Sequence, residues 1–396
     1  MLLTAVIPFP KMLFLNGFLI FIFLVWARRA VWLGRLRKKN PPIEKIERPT
    51  RTDTKISLIV PAKNEEKNIA NCLYHLFRQN FKNCEIIVVD DRSTDKTPHL
   101  LENFQKLSPF PFKIIRIEKL PPGWTGKNHA MVAGSKAASG SWLLFTDADT
   151  THQPESVASA LETALAQKID FLTLAPETES RSFWEKTVQP LAVGSLALWF
   201  NSEKVNDPQS GTILANGQFI LVRKEAYEKV GGNESVKSEV IEDVELAKKI
   251  RGAGFTVQFL NGTKLYSTRM YSSLAEIKTG WTRIFTYLFN KKIPAILHKI
   301  FLFSFASLAP FVILKMELFF WWAQSEFYQP LTLALSLGVC AWIILIRFIG
   351  NKTLKCNPWY AFLHPLGSVI MIWILCICIL RIAFNRPSAW RGDLHQ

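Results

Sequence analysis

The 396-residue chain has only six cysteines, and none has metal-ligand spacing with a histidine. Cys72, Cys84, Cys340 and Cys356 are scattered, and Cys376 and Cys378 fall inside an apolar run where packing is their expected role. A disulfide framework is therefore not expected, which fits a reducing compartment. Internal repeats and low-complexity tracts are also missing, so the chain does not read as a repeat array. Acidic residues are in deficit, 32 against 48 Lys and Arg, for a formal net charge of +16. No nucleic-acid recognition motif accompanies that excess, and a nucleic-acid partner is not expected. The basic residues instead cluster beside apolar segments, as at Arg28, Arg29, Arg35, Arg37, Lys38 and Lys39. Juxtamembrane residues of this kind face the cytoplasm and anionic lipid.

Apolar residues are abundant: 49% of the chain, with 29 Phe and 13 Trp. They concentrate in long runs near both ends. Residues 12–33 are long enough to span a bilayer. Their basic cluster follows the run, whereas a cleaved signal peptide carries it in front, so 1–33 read as an uncleaved membrane anchor. The same bias places the N-terminus outside and everything after residue 34 in the cytoplasm, as an integral protein of the cell membrane. Residues 34–55, with Pro41, Pro42 and Pro49, read as a linker. Residues 271–292 mix Trp281, Phe285, Tyr287 and Phe289 with Arg283, Lys291 and Lys292 and read as an interfacial amphipathic segment. A membrane region follows at 293–384, with spans at about 299–323, 331–349 and 359–382, and then a tail at 385–396. Three spans after a cytoplasmic domain put the tail outside, yet Arg386 and Arg391 suit the cytoplasm. A re-entrant hairpin in the first of these runs, which holds Lys315 and Glu317, is the alternative. Residues 183–200 carry Glu185, Lys186 and Pro190. They fit either a buried core helix or a helix lying in the membrane plane.

Between 56 and 270 short apolar runs alternate with helical stretches. ISLIVPA (56–62), EIIVVDD (85–91), FKIIRI (112–117) and WLLFTDAD (142–149) read as strands, with helices at 65–80 and 128–139. This alternation predicts an α/β fold with a mostly parallel central sheet. Ligands then bind beyond the carboxyl ends of the strands, where Asp90, Asp91, Asp147 and Asp149 should converge.

Four elements carry candidate chemistry. VVDDRSTDKT (88–97) places two carboxylates at a strand end, although Ser93 or Asp95 could simply cap a helix. TDADT (146–150) holds two carboxylates one residue apart on a turn, a pattern suited to a divalent cation that also binds phosphate oxygens. Glu242 and Asp243 open a helix. They are either favourable charges at its N-terminus or a catalytic base for an attacking hydroxyl. LPPGWTGKNHA (120–130) is a Pro- and Gly-containing loop with Lys127 at the mouth of a helix, placed to meet a diphosphate. His129 there reads as structural. Gly217 in ANGQF (215–219) would let a ligand approach the backbone.

Together, IVPAKNEE (59–66), VVDDRSTD (88–95), DAD (147–149) and the acidic pair of VIEDVEL (240–246) resemble the family 2 glycosyltransferases, which have the GT-A fold. PPGWTGKNHA (121–130), ANGQFILVRKEAY (215–227), the anchored layout and WRGD (390–393) look like the membrane-bound hopanoid- and carotenoid-associated members. The resemblance implies a GT-A domain at 56–270 that transfers a hexose, by default from UDP-glucose, to a hydroxyl or carboxyl of a lipid acceptor with inversion. It implies that Asp91, with Asp90, binds the nucleobase, while Pro61, Ala62 and Glu65 line the nucleotide pocket. Asp149 would bind Mn²⁺ or Mg²⁺, with Asp147 supporting the donor. Lys127 would meet the diphosphate, and Asn216, Gly217 and Gln218 would lie near the donor sugar or acceptor. Asp243 would be the base, with Glu242 the lesser candidate. The family's Q/R-x-x-R-W element survives only as TGWTRIF (279–285). Arg283 keeps an arginine there without the following Trp, which argues against a polymer synthase. A polyprenyl-phosphate sugar transferase and a non-catalytic membrane scaffold are the rival readings.

Overall fold

The computed structural model describes residues 9–49, 53–200, 204–386, 388–390 and 393–395. Helix α1 (Phe9–Lys39) comes first. The elements that follow are β1 (Ile56–Ala62), α2 (Ile69–Phe77), β2 (Cys84–Asp91), α3 (Thr97–Leu107), β3 (Phe112–Ile117), α4 (Gly126–Ala137), β4 (Trp142–Thr146) and β5 (Thr150–His152). Next are α5 (Ser156–Ala166), β6 (Phe171–Ala175), β7 (Glu177–Thr178), α6 (Phe183–Trp199), β8 (Phe219–Arg223), α7 (Lys224–Lys229), α8 (Glu242–Gly252), β9 (Val257–Asn261) and β10 (Tyr266–Thr268). The chain continues through α9 (Leu274–Leu288), α10 (Ile293–Leu302), α11 (Ala309–Trp322), α12 (Pro330–Thr353) and α13 (His364–Ala383) to a short hairpin, β11 (Ser388–Trp390) and β12 (Asp393–His395). Two compact units result. One is Asn40–Glu179 with Ala197–Met270 and Pro387–Gln396; the other is Met1–Lys39 with Ser180–Leu196 and Tyr271–Arg386.

The first unit is built on a seven-stranded sheet in the order β3-β2-β1-β4-β8-β6-β9. All neighbours are parallel except β8, which runs antiparallel to both β4 and β6. The apolar runs are nearly unbroken because both faces are covered. Ile56, Leu58 and Val60 of β1 pack with Leu73 and Leu76 of α2 and Leu161 of α5. Ile59, on the opposite face, packs with Met131 of α4 and with Leu246 and Ile250 of α8. Gly134 allows the close approach of α4, since a Cβ there would lie 2.5 Å from Ile59 Cγ2. A small sheet, β5-β10-β7, stands beside the main one.

Several boundaries differ from the sequence expectation. The strand expected at 142–149 ends at Thr146, because Thr150 N and Oγ1 both donate to the Asp147 carbonyl (3.3 and 2.7 Å) and close a turn. The helix expected from 65 starts at Ile69, where the Glu65 carbonyl accepts the amides of Asn68 and Ile69. The segment expected as a linker begins as helix, since α1 runs to Lys39. Residues beyond it then form a strap on the catalytic unit. Ile43 N donates to Asn261 O (2.9 Å), Ile46 N to Ser159 Oγ (2.9 Å), and Lys264 pairs with Glu44 (2.7 Å).

In the second unit four helices among the described residues are long and apolar enough to cross a membrane: Leu13–Lys39, Ile293–Trp322, Pro330–Thr353 and Pro358–Ala383. The hairpin alternative fails. Helix continues from Ile293 to Trp322, through a π-helical turn at Phe303–Leu308. α1 and α12 run side by side in the same direction, with Thr332 Oγ1 donating to Asn16 Oδ1 (2.8 Å) toward one end and Arg37 to Thr353 Oγ1 (3.5 Å) toward the other. α6 packs within this unit, its Gln189 Oε1 accepting Trp281 Nε1 (2.6 Å). The aromatics of α9 differ from the interfacial face expected of them. Trp281, Phe285 and Phe289 are buried in a stack, with centroids 5.1 and 6.2 Å apart. Arg391 and Gly392, part of the terminal WRGD, lie outside the described residues.

Candidate active site

The site forms where strands end and helices begin. Parallel strands β2 and β4 flank β1, so Asp90 and Asp91 at the end of β2 and the Asp147–Asp149 turn after β4 share one edge of the sheet. The two loops beyond β1 and β2 are stitched together. Asn64 N donates to Ser93 Oγ (2.9 Å), Thr94 N to Asn64 Oδ1 (2.8 Å) and Glu66 N to Asp95 Oδ2 (3.0 Å). Asp90 and Asp91 are both buried. Asp90 Oδ1 accepts Ser93 N (3.2 Å), and Asp91 is held by Arg92 at 2.7 and 3.0 Å. Pro61 and Ala62 close β1 beside them, Ala62 in register with Asp90. The buried carboxylate of Glu65 accepts Asn68 Nδ2 (2.8 Å), and its amide donates to Thr97 Oγ1 (2.8 Å).

Lys127 is the hub of the site. Thr125 caps α4 by accepting Asn128 N (3.2 Å), which sets Lys127 in the first turn. Its Nζ lies 2.8 Å from Asp147 Oδ1 and 3.0 Å from Glu242 Oε1, joining the turn after β4 to the start of α8. Burial alone would lower the ammonium's pKa, but Asp147 and Glu242 outweigh it and hold the group far above its ordinary value. The Asp243 carboxylate is fixed at both oxygens: Oδ2 accepts Gly217 N (2.7 Å) and Oδ1 accepts Val244 N (2.8 Å). Burial, then the neighbouring Glu242 charge, pushes its pKa up to about 7. A carboxylate in that range is suited to take a proton near neutrality.

Gly217 makes room for groups of the protein itself. A Cβ there would stand 2.9 Å from Lys127 Nζ and 3.2 Å from Glu242 Oε1. The groups that approach its backbone are therefore the protein's own charged side chains. Asn216 and Gln218 spend their side chains internally. Asn216 Nδ2 donates to Leu174 O (3.2 Å) and Tyr266 Oη (3.1 Å), and Gln218 Nε2 donates to Thr268 Oγ1 (3.0 Å). Arg283 lies half-buried on α9 and belongs to the membrane unit. His129 stacks edge-on against Trp124, centroids 5.2 Å apart.

Asp149 supplies the test for a cation. Its Oδ1 is buried and has no hydrogen-bond partner in the protein. Burial, then the charge of Asp147, pushes its pKa up to about 7. An orphaned oxygen beside a second carboxylate fits a divalent ion. No group of three or more His, Cys, Asp or Glu among the described residues could close the coordination alone, so substrate oxygens would have to complete it.

Behind the turn lies a polar cluster that the sequence reading missed. Thr146 Oγ1, Thr150 Oγ1 and His152 Nε2 lie 2.9–3.1 Å apart, and Thr146 Oγ1 is 2.9 Å from the Gln218 carbonyl. His152 packs against both Phe219 and Tyr266, and burial followed by the His75 charge drops its pKa to about 3. It therefore stays neutral and anchors the turn. The signal was the polar run TTH directly after an apolar strand.

Residues 57–231 match the sequence profile of Glycosyl transferase family 2. The chain carries a family 2 glycosyltransferase domain, and it is a glycosyltransferase. It is 26% identical over 309 residues to 4,4'-diaponeurosporenoate glycosyltransferase of Staphylococcus aureus strain MRSA252, covering 76% of this chain and 80% of that one. The same-named protein of strain USA300 is 25% identical over the same shares. Among solved structures, mannosyltransferase PcManGT from Pyrobaculum calidifontis, in complex with GDP-Man and Mn²⁺, superposes with a TM-score of 0.52 at 16% identity. The match covers 92% of this chain and 99% of that one, and it shows the shared GT-A fold.

Proposed function

We propose that this glycosyltransferase moves a hexose, with UDP-glucose the expected donor, to a hydroxyl or carboxyl of a membrane lipid, inverting the anomeric centre. The observation that carries the reading is the Lys127 bridge. It joins the Asp147–Asp149 turn to the Glu242–Asp243 helix start, bringing an anion-binding group, a cation-binding turn and a base together at one sheet edge. The matching relatives are glycosyltransferases of 4,4'-diaponeurosporenoate, which supports an apolar, carotenoid-type acceptor. The four long apolar helices support access to such a molecule from a membrane, and the basic cluster from Arg28 to Lys39 supports a catalytic unit on the cytoplasmic side.

In this reading Asp91 and Asp90 bind the nucleobase, in a pocket lined by Pro61, Ala62 and Glu65. Lys127 receives the diphosphate, and Arg283 serves the leaving group. Asn216 and Gln218 shape the sugar pocket through their backbone. Asp149 and Asp147 hold Mn²⁺ or Mg²⁺. When bound, that ion supplies positive charge against the diphosphate as it leaves. The acceptor oxygen forms its bond to the anomeric carbon as the carbon–phosphate-oxygen bond breaks. With a hydroxyl acceptor, Asp243 Oδ takes the proton. An ionised carboxyl or phosphate acceptor has no proton to give.

Radiolabelled transfer tests this. Purified chain with membrane lipids receives UDP-glucose, UDP-galactose or GDP-mannose, and label is followed into the organic phase. Transfer that vanishes with EDTA is the expected result; label released only as free sugar refutes the lipid acceptor. With a hydroxyl acceptor, kcat/KM should rise with pH as Asp243 loses its proton near 7, and Asp243→Asn should lower turnover by about 10²–10⁴-fold while nucleotide still binds. A mild Asp243→Asn effect assigns an acceptor that is already an anion.

A further inference from the structure

The membrane unit contains a second polar cluster, far from anything the transfer chemistry uses in sequence. His364, at the start of α13, is fully buried, and neither ring nitrogen has a hydrogen-bond partner in the protein. Ser368, one turn later on the same helix, is also fully buried with an unpartnered Oγ. Arg347 of α12 is 8% exposed. Its guanidinium donates to the Thr187 carbonyl of α6 (3.1 Å), and its Nε has no partner.

The packing that creates the cluster is specific. The His364 ring lies between Trp26 (centroids 5.6 Å) and Phe311 (5.8 Å), and Arg29 sits over Trp26 at 5.1 Å. Trp26 is itself fixed by donating to the Ala306 carbonyl (2.7 Å). Gly367 lets α13 meet α6: a Cβ there would stand 2.9 Å from Thr187 O, the acceptor for Arg347. Two cations and an imidazole thus converge in an apolar helical bundle. A buried cation without a counter-charge is costly, and ionisable groups in such bundles mark ligand sites.

We propose that Arg347, Arg29, His364 and Ser368 form a binding site for the oxyanion end of a membrane amphiphile, a carboxylate or phosphate carried on an apolar chain. The arginines supply charge, the imidazole and hydroxyl supply donors, and Trp26 and Phe311 flank the apolar stem. The choice of an amphiphile as occupant rests on the lipid-acceptor reading above.

The test is equilibrium binding to the purified full-length chain in neutral detergent. The probes are oleate, dioleoylphosphatidylglycerol and, as the uncharged control, oleyl alcohol. UDP binding is read in the same preparations, so that failure of the glycosyltransferase reading is seen separately. Saturable binding of an anionic probe is expected, weakened about ten- to a hundredfold in Arg347→Gln. Arg29→Gln, at a half-buried position, should weaken it less and guards against misfolding of the first variant. Binding of oleate alone through Arg347 supports a carboxylate amphiphile as occupant; binding of the phospholipid alone supports a resident phospholipid. Oleyl alcohol binding as tightly as the anions, or anion binding unchanged in both variants while UDP still binds, overturns the proposal.

Discussion

Replacing Gly217 with alanine tests whether the site is a single charged unit. The added Cβ would lie 2.9 Å from Lys127 Nζ, 3.2 Å from Glu242 Oε1 and 3.5 Å from Asp243 Oδ2. The first distance is too short to persist, and the second requires a neighbour to give by a few tenths of an ångström. Lys127 is not free to retreat, because it is held at 2.8 Å by Asp147 and at 3.0 Å by Glu242. Either that bridge opens, or the backbone at 217 shifts and carries with it the 2.7 Å bond that orients Asp243. Overpacking of this size costs about 1–3 kcal/mol of stability. A displacement of the base approaching about 1 Å costs roughly 100-fold in turnover. UDP affinity separates the two outcomes: it falls if Lys127, which receives the diphosphate, is displaced, and holds if only the backbone at 217 moves. Gly211→Ala is the control, because a Cβ there meets nothing within 4 Å. Initial rates of transfer, nucleotide binding and thermal melting are measured on all three proteins. Wild-type turnover together with a wild-type melting temperature in Gly217→Ala would refute the reasoning.

Two further outcomes follow from single carboxylates. Asp149→Asn should abolish the metal dependence of nucleotide binding, seen as equal UDP affinity with Mn²⁺ and with EDTA, because the orphaned Oδ1 is the proposed ligand; retained metal dependence would remove that assignment. Glu85 is buried and accepts Ser57 Oγ (2.7 Å), Ser139 N (2.7 Å) and Ser139 Oγ (2.6 Å), with Lys113 at 3.1 Å. Burial works to raise its pKa, but these partners prevail and depress it to about 2. Its folded pKa is below its unfolded one, so its contribution is present above about pH 4.5 and is lost as pH falls toward 2. Glu85→Gln should therefore destabilise the catalytic unit by about 3 kcal/mol at pH 7, with the gap narrowing below pH 4 in denaturant titrations.

The family and the sheet were readable in the chain because both depend on local pattern. Short apolar runs such as 56–62 and 85–91 have few alternatives to buried parallel strands, and the carboxylates at the end of the second are placed by the strand direction. The four long apolar helices were legible for the same reason, since crossing a bilayer is a matter of length and composition. Tertiary structure decided what those residues meet. Lys127 precedes Glu242 by more than a hundred residues, and only the meeting of α4 and α8 on one sheet face brings their side chains to 3.0 Å. Gly217 shows the same limit, because the sequence marks a place where something comes close and cannot say what. The strap at 40–49 looked like a linker because much of its binding runs through its own backbone amides and carbonyls, at Ile43, Ile46 and Glu47, which leave no mark on composition. Trp281 and Phe285 looked interfacial until α9 turned them inward against Gln189. Arg347, His364 and Ser368 sit in two apolar runs as isolated polar residues. Their convergence exists only once α6, α12 and α13 pack together, because side-chain proximity between distant segments is a property of packing and is not encoded at any one position.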